Sequence, residues 1–401
     1  MDKILAINSG SSSFKYKLFS LADESVLASG LGDRIGIDGS TFSMKLADGT
    51  KHEVEVDLPN QEVAVQTLLD WLKEYGVIAD LKEIVGVGHR IVNGGELFPD
   101  SAIIDKDNIH KVFDLTNYAP LHNPAEGREI QAFMNILPDV PQVGVFDTSF
   151  HQSMDEVHYI YSLPYEYYEK YKARKYGAHG TSVRYVSGKA AELLGKDLKD
   201  LKLVVCHLGS GASVTAVKDG KCYDTSMGFS PLAGVTMGTR SGDVDPSVLQ
   251  YIMKKEGITD FEGITDFNEM IDILNRKSGL LGLSGISSDM RDIRNSDDKR
   301  ARLAEAVFIN RVVRYVGSYI AEMGGADAVV FTAGIGEHDD VVREGVMKSL
   351  SFMGVDFDDA ANKAANEGFI TKEDSKLAGL IIPTDEELMI ERDVVRLAKL
   401  K

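Results

Sequence analysis

The chain has 401 residues and carries 44 Lys and Arg against 62 Asp and Glu, a net charge of −18. That field repels nucleic acid and anionic membrane surfaces, so neither is an expected partner, and an anionic substrate has to be met by a local cluster of basic groups. The length favours two domains, each with material for its own core.

In chain order, the first element is an apolar strand, Ile4–Asn8. It breaks into a small polar turn, Ser9-Gly-Ser-Ser-Ser13, and a second strand, Phe14–Ser20, opens with Lys15 close behind the turn. Backbone N–H groups, the hydroxyls of Ser11, Ser12 and Ser13, and one ammonium can all face a single anion there. Ordinary hairpin turns are shorter and favour Asn-Gly or Asp-Gly, so a phosphate-holding turn is the better reading. A third strand follows at Ser25–Gly30, then a helix at Gln61–Tyr75 with Val65, Leu68, Leu69 and Leu72 on one side.

Strand Ile84–Gly88 runs into Gly88-His-Arg-Ile-Val-Asn-Gly-Gly95, which sets Arg90 between a strand and a glycine turn. Asn123-Pro124 has the form of an N-cap followed by Pro at the first helical position, for a helix to about Leu137, with His122 at the helix start. Strand Gln142–Asp147 ends on a carboxylate. No low-complexity stretch interrupts the chain, so the domain break is expected as a tight hinge after Asp147.

The second half begins with Gly177-Ala-His-Gly180, which puts His179 in a glycine-flanked turn. Leu203–Val217 then repeats the opening design: strand, Gly209-Ser210-Gly211 turn, strand, with a third strand at Lys221–Thr225. Met237-Gly-Thr-Arg-Ser-Gly-Asp243 places Arg240 in another glycine-flanked loop. Helices are expected from Asp245-Pro246 to about Lys255 and over Lys299–Met323, the second stopped by Gly324-Gly325. Strand Asp327–Thr332 ends in Ala333-Gly-Ile-Gly-Glu337 and a helix, and strand Leu380–Pro383 precedes a last helix from about Asp385. Strands alternating with helices argue for an α/β protein with covered sheets. Cys206 and Cys222 lack metal or redox spacing and read as buried strand residues of a protein of the reducing cytosol. A signal peptide is not expected, because the chain enters a strand directly after Met1-Asp2-Lys3. No apolar run approaches the ~20 residues of a membrane span.

Guanidinium forks match carboxylate and phosphate oxygens, and flanking glycines let backbone crowd a ligand. Arg90 and Arg240 therefore suit a small anion that gives or receives a phosphoryl group; incidental arginines in surface loops are the alternative. Magnesium-dependent chemistry needs carboxylates, for which Asp147 and Glu386 are placed directly after strands. A first-turn acid that favours the helix dipole is the plainer account of Glu386. Rival nucleotide signatures are missing: no G-x-x-x-x-G-K-[ST] occurs. The pairs Gly86/Gly88, Gly209/Gly211 and Gly334/Gly336 are followed by Ile91, Val214 and Asp339 where a dinucleotide fingerprint has its third glycine.

Two glycine hairpins and a third glycine turn, in this order, resemble the superfamily of actin, heat-shock chaperone ATPases and sugar kinases. More closely, Asn8–Lys15, Gly88–Glu96, Phe146–Gln152, Gly177–Ser182, His207–Gly211, Met237–Pro246, Ser288–Arg291, Gly334–Glu337 and Pro383–Glu387 resemble the acetate kinase family along the whole chain. The resemblance implies two actin-like, ribonuclease H-like domains, each a mixed sheet flanked by helices, with the nucleotide cleft between them. The first would span 1–148, with 385–401 packing back on it, and the second 149–384. It implies reversible, Mg2+-dependent transfer of phosphate from ATP to acetate, giving acetyl phosphate and ADP, in a cytoplasmic homodimer; Mn2+ would substitute for Mg2+.

By the same resemblance, Asn8 and Glu386 would hold the metal, and Lys15, Ser11 and Ser13 the nucleotide phosphates. Arg90, Val92, Leu121, His122 and Pro231 would bind the substrate, with Ala178 in the acyl wall. Asp147, His179, Arg240 and Arg90 would be catalytic. His207, Leu208, Gly209, Ser210 and Gly211, then Asp289, Met290 and Arg291, then Gly334, Ile335, Gly336, Glu337 and His338 would contact ATP. The chain departs from the family at Ser210 and His338, where Asn is frequent, at Ala178, where some members have Phe, and at Val183, where many have His. A kinase for propionate or another short-chain carboxylate is the enzymatic alternative. An ATP-driven binding protein of the chaperone or actin type is the non-enzymatic one.

Overall fold

The computed structural model describes residues 2–10, 12–119, 122–258 and 266–401. They form two compact units: Met1–Gln152 with Gly180–Ser182 and Asp385–Lys401, and Ser153–His179 with Val183–Thr384. The strands of the first are β1 Lys3–Ser9, β2 Phe14–Ser20, β3 Val26–Asp33, β4 Thr41–Leu46, β5 Lys51–Glu55, β6 Ile84–Ile91, β7 Ala102–Ile104 and β8 Gln142–Phe146. Those of the second are β9 Lys202–Leu208, β10 Ala212–Lys218, β11 Lys221–Thr225, β12 Ala328–Thr332, β13 Gly368–Phe369 and β14 Ala378–Ile381.

The first sheet has the order β5-β4-β3-β2-β1-β6-β8-β7 and the second β11-β10-β9-β12-β14-β13. In each, three antiparallel strands lead into two parallel ones: β1 pairs parallel with β6 and β6 with β8, while β9 pairs parallel with β12 and β12 with β14. One five-strand plan is thus used twice, as the paired glycine hairpins suggest. The β1–β2 register sets Asn8 opposite Lys15, so these two residues are cross-strand partners.

Side-chain alternation gives each strand two faces. In the first unit Leu5, Ile7 and Val87 pack with Leu68, Leu69 and Leu72 of the helix Gln61–Glu74. Ile4, Ala6, Val143 and Val145 pack with Ile390 and Val394 of the helix Glu386–Ala398. That second contact explains Gly86 and Gly88, the pair that mimics part of a dinucleotide motif. A Cβ at Gly86 would lie 2.4 Å from Cγ1 of Val394, and one at Gly88 2.3 Å from Cγ2 of Ile390. The glycines let a helix approach a strand closely; they do not cradle a phosphate there.

In the second unit the 25-residue helix Lys299–Met323 lays Phe308, Val312, Val316 and Ile320 over Val204, Cys206, Val214 and Ala216. Asp298 caps it and Gly324, at φ 68°, ends it. Both cysteines are buried in strands. The expected cap at Asn123 is displaced: the helix runs Asn123–Ile136 with His122 as its N-cap residue. The Asn123 amide binds Asn93 instead, accepting from its N–H at 3.3 Å and donating to its carbonyl at 2.9 Å. The β4–β5 hairpin is an element without a counterpart among the expected strands. Among the described residues no helix is long and apolar enough to cross a membrane.

Candidate active site

The first unit gathers its polar groups at the carboxyl ends of β1, β6 and β8, on the face covered by the helix Glu386–Ala398. Asp147, 1 % exposed, follows β8 directly. Its Oδ2 accepts from Nε and Nη2 of Arg90 at 3.0 and 2.6 Å, and its Oδ1 accepts from Oγ1 of Thr181 at 3.3 Å. The Arg90 Nη1 donates to Oδ1 of Asn8, and Nδ2 of Asn8 donates to Oε2 of Glu386, both at 3.4 Å. Glu386 opens the last helix, which Asp385 caps and Lys17 holds through Asp385 at 2.8 Å and Glu387 at 3.3 Å. Arg90, Asp147, Asn8 and Glu386 therefore form one network.

Its electrostatics are tense. Burial, and then the charge of Asp147, push the Glu386 carboxyl above the ordinary range. Burial opposes the charge on Arg90, but Asp147 and Glu386 outweigh it and raise that guanidinium's affinity for its proton. A further acid stands beside them. Glu126, fully buried in the first turn of the helix Asn123–Ile136, accepts from the Val92 N–H at 3.1 Å through Oε2. Its Oε1 has no hydrogen-bond partner among the described residues. Burial pushes this carboxyl up to about 8, against the pull of Arg90. A helix acid ordinarily marks a solvated face, so local sequence offers no signal for Glu126. Val92 is buried, His122 half-buried and Lys15 exposed. Ser13 is half-buried in the hairpin turn, where Gly10 N–H donates to its carbonyl at 2.6 Å. Ser11 and Leu121 lie outside the described residues.

The second unit carries the basic groups. His207, near the end of β9, stacks on His179 with ring centroids 4.0 Å apart. His179 has φ 62°, a costly conformation for a residue with a Cβ, and its Nδ1 lies 2.9 Å from Oγ of Ser213. A Cβ at Gly211 would stand 3.2 Å from Nη1 of Arg240 and 3.6 Å from Nε2 of His179, so both side chains converge on the hairpin turn. Among the described residues Arg240 has no carboxylate partner; its Nη1 donates to the Pro231 carbonyl at 3.3 Å. Burial lowers its proton affinity. A desolvated guanidinium without a counter-ion is suited to an anion that arrives from outside. Asp243 closes its loop, accepting from the Gly234 N–H at 2.8 Å and from the Tyr315 hydroxyl. Ala178 is buried in the core of this unit and Pro231 is half-buried.

Beside these groups lies a cavity of about 480 Å³, within the range of nucleotide-sized sites. Gly209, Ser210, Asp289, Met290, Arg291, Gly334, Ile335 and His338 line it, together with Ser288, Arg294 and Asp339. His207, Leu208, Gly211, Gly336 and Glu337 do not. Glu337 is tied inward, accepting from the N–H groups of Ala333 at 2.8 Å and Thr384 at 3.2 Å. The Arg291 side chain holds the Asp289 carboxyl down at about 2. Arg294 is anchored by Asp339 at 3.2 Å and Asp340 at 3.1 Å. Those partners lie some forty-five residues downstream, which hides the arrangement from local sequence.

A duplicated α/β fold, glycine hairpins at matching strand ends, a nucleotide-sized cavity and a guanidinium without a carboxylate partner among the described residues fit a protein that handles a nucleotide's phosphates. The sequence model of the acetokinase family matches residues 3–392. The acetate kinase of Enterococcus faecalis is 54% identical over 400 residues, covering 99% of this chain and all of the relative. The crystal structure of Porphyromonas gingivalis acetate kinase superposes with a TM-score of 0.93 at 43% identity, over 99% of this chain and 100% of that one. A propionate kinase from Francisella tularensis superposes at 0.91 with 39% identity and the same coverage. The chain belongs to the acetokinase family.

Proposed function

We propose that the chain is an acetate kinase, transferring the γ-phosphoryl group of ATP to acetate and releasing acetyl phosphate and ADP, reversibly. The observation that carries this reading is the full-length likeness to a protein named acetate kinase, 54% identical over 400 residues. The acceptor oxygen is ionised at neutral pH, so no general base is needed, and catalysis rests on positioning and charge. Arg90 would receive the acetate carboxylate, with Val92 beside its methyl group, and Asp147 would hold the Arg90 fork. Arg240 and His179 would meet the oxygens of the phosphoryl group in flight. Lys15 and the turn Gly209–Gly211 would hold the nucleotide phosphates, and the cavity beside Asp289–Arg291 and Gly334–His338 the nucleoside.

The donor set fits a hard divalent cation. The Asn8 amide oxygen, Glu386 and Asp147 are oxygen donors in one network, and burial and then the charge of Asp147 push the Glu386 carboxyl up, a strain that such an ion would offset. Bound Mg2+ would neutralise charge on the phosphate oxygens. We take the protein to act in the cytoplasm as a homodimer, with 1–148 and 385–401 as an N-terminal actin-like domain and 149–384 as the C-terminal, nucleotide-binding one.

Propionate is the second reading, favoured by the likeness to a propionate kinase and by the small side chain at Ala178. The test is ATP-dependent acyl phosphate formation, trapped with hydroxylamine, across acetate, propionate and butyrate. Acetate is expected to have the highest kcat/KM; a preference for butyrate, or no acyl phosphate from any acid, would overturn the assignment.

A further inference from the structure

Opposite the reacting groups, on the other face of the first sheet, lies a buried polar chain to which the proposed chemistry gives no part. Glu129, 1 % exposed, projects from the helix Asn123–Ile136. Its Oε2 accepts a hydrogen bond from the Ser9 hydroxyl. Its Oε1 lies 2.8 Å from Nδ1 of His89, and Nε2 of His89 lies 2.8 Å from Oε1 of Gln142. Gln142 Nε2 donates to the Val140 carbonyl at 2.8 Å. That bond turns the amide so that its Oε1 accepts, so Nε2 of His89 carries a proton and donates. Every polar side-chain group from Ser9 to Gln142 is satisfied, and all four side chains are buried.

The chain joins two places that matter. Ser9 ends β1, directly after Asn8 and before the hairpin turn. His89 directly precedes Arg90 on β6, and Ile7 is its register partner on β1. Alternation points Asn8 and Arg90 to one face of the sheet and Ser9 and His89 to the other. One carboxylate therefore grips, from behind, the neighbours of both front-face residues.

We propose that Glu129 is a positioning residue that fixes the first hairpin turn and the Arg90 strand end relative to each other. It touches neither substrate. The inference rests on the acetate kinase reading and deepens it, by linking the residues next to the proposed metal-binding Asn8 to those next to the proposed acetate-binding Arg90.

The test is steady-state kinetics of the full chain, with ATP and acetate varied in turn, for wild type, Glu129→Gln, Glu129→Ala, Ser9→Ala and the Ser9→Ala/Glu129→Ala double variant. Melting followed by Trp71 fluorescence establishes the folded fraction at the assay temperature. In the folded protein, Glu129→Ala and Ser9→Ala are expected to lower kcat roughly 10–100-fold, the cost of a misplaced site, with KM raised for both substrates. Glu129→Gln accepts from Ser9 and donates to Nδ1 of His89, so it is expected within a few-fold of wild type. The double variant is expected to be no worse than Glu129→Ala, since both changes cut one link. A structural role alone would lower the melting temperature and leave kcat and both KM values of the folded protein unchanged. That outcome in Glu129→Ala, or in Ser9→Ala should Glu129→Ala not fold, overturns the proposal. Failure of the acetate kinase reading is distinguishable, because it would abolish acyl phosphate formation by wild type and variants alike.

Discussion

Glu126 should make the first unit's stability fall as pH rises, and Glu126→Gln should remove that contribution. The carboxyl is fully buried, with one oxygen bound to the Val92 N–H and the other without a partner among the described residues. Burial is the largest influence on it; Arg90 and the Val92 N–H stabilise its charge, and Asp147 and Glu129 oppose it, leaving it at about 8 rather than 4.5. Between those values the native state keeps a proton that the unfolded chain has released. The unfolded state then binds fewer protons, so stability decreases with pH across the window and levels off above the folded value.

At about 1.4 kcal/mol per tenfold, the loss between pH 5 and pH 8.5 is about 4 kcal/mol. Glutamine keeps the shape and the acceptor for Val92 but cannot ionise. Trp71, the chain's only tryptophan, packs against the core of the first unit with its ring 5.0 Å from Phe42, so its fluorescence reports that unit. With a urea slope of about 2 kcal/mol per molar, the midpoint of Glu126→Gln minus that of wild type should grow by about 2 M from pH 5 to pH 8.5. Titrations of groups remote from Glu126 cancel in the difference. A difference that stays flat across this range would refute the reasoning, because it would mean that Glu126 ionises as it does in the unfolded chain.

Arg240→Ala should leave circular dichroism unchanged and lower kcat about 10²–10³-fold, as loss of a donor to developing charge does; activity within a few-fold of wild type would remove Arg240 from the proposed chemistry. Asp147→Asn and Glu386→Ala should each raise the Mg2+ concentration giving half-maximal rate more than they raise the KM for acetate, measured by magnesium titration of initial rates; an unchanged midpoint in both would leave Glu386 as a first-turn acid and nothing more. Wild type should discriminate against propionate by a factor near the lower end of the roughly 10–200-fold that one methylene commands. Ala178→Phe should sharpen that ratio, and an unchanged kcat/KM ratio would show that Ala178 does not line the acyl wall.

The features legible in the sequence are those encoded by neighbours in the chain. Asn8, Lys15 and Arg90 stand at strand ends and Arg240 in a loop, each beside glycines, whereas the register that sets Asn8 opposite Lys15 belongs to the fold. The β4–β5 hairpin carries a local signal as well, in Phe42 and Met44 alternating with polar residues ahead of Asp48-Gly49. Glu126, Glu129 and Arg294 carry none. Their meaning comes from partners on other elements: Val92 for the first, Ser9 and His89 for the second, Asp339 and Asp340 for the third. Helical periodicity reads such acids as solvated, because it assumes that charge and burial exclude each other. Asn123 shows the opposite failure. Its cap-like sequence is genuine, but tertiary bonds to Asn93 outweigh the local use of that amide.

The two sheets share one strand plan, yet their functional ends carry opposite chemistry, and burial explains why. In the first unit Asp147, Glu386 and Glu126 crowd about Arg90. Asp147 and Glu386 held this close repel one another, and a cation would relieve them. In the second unit Arg240 is partly buried without a carboxylate among the described residues, beside the His179–His207 stack, and an anion would relieve it. A chain of net charge −18 repels anions at long range, so binding a nucleotide depends on short-range groups whose charge is neither screened nor already neutralised. Pairing Arg240 with an acid would lower the cost of burying it in the folded protein. It would also surrender the charge that the proposed phosphoryl transfer uses. His179 carries a related cost: its φ of 62° presents the ring to the Gly211 turn, and strain of this kind clusters at functional sites.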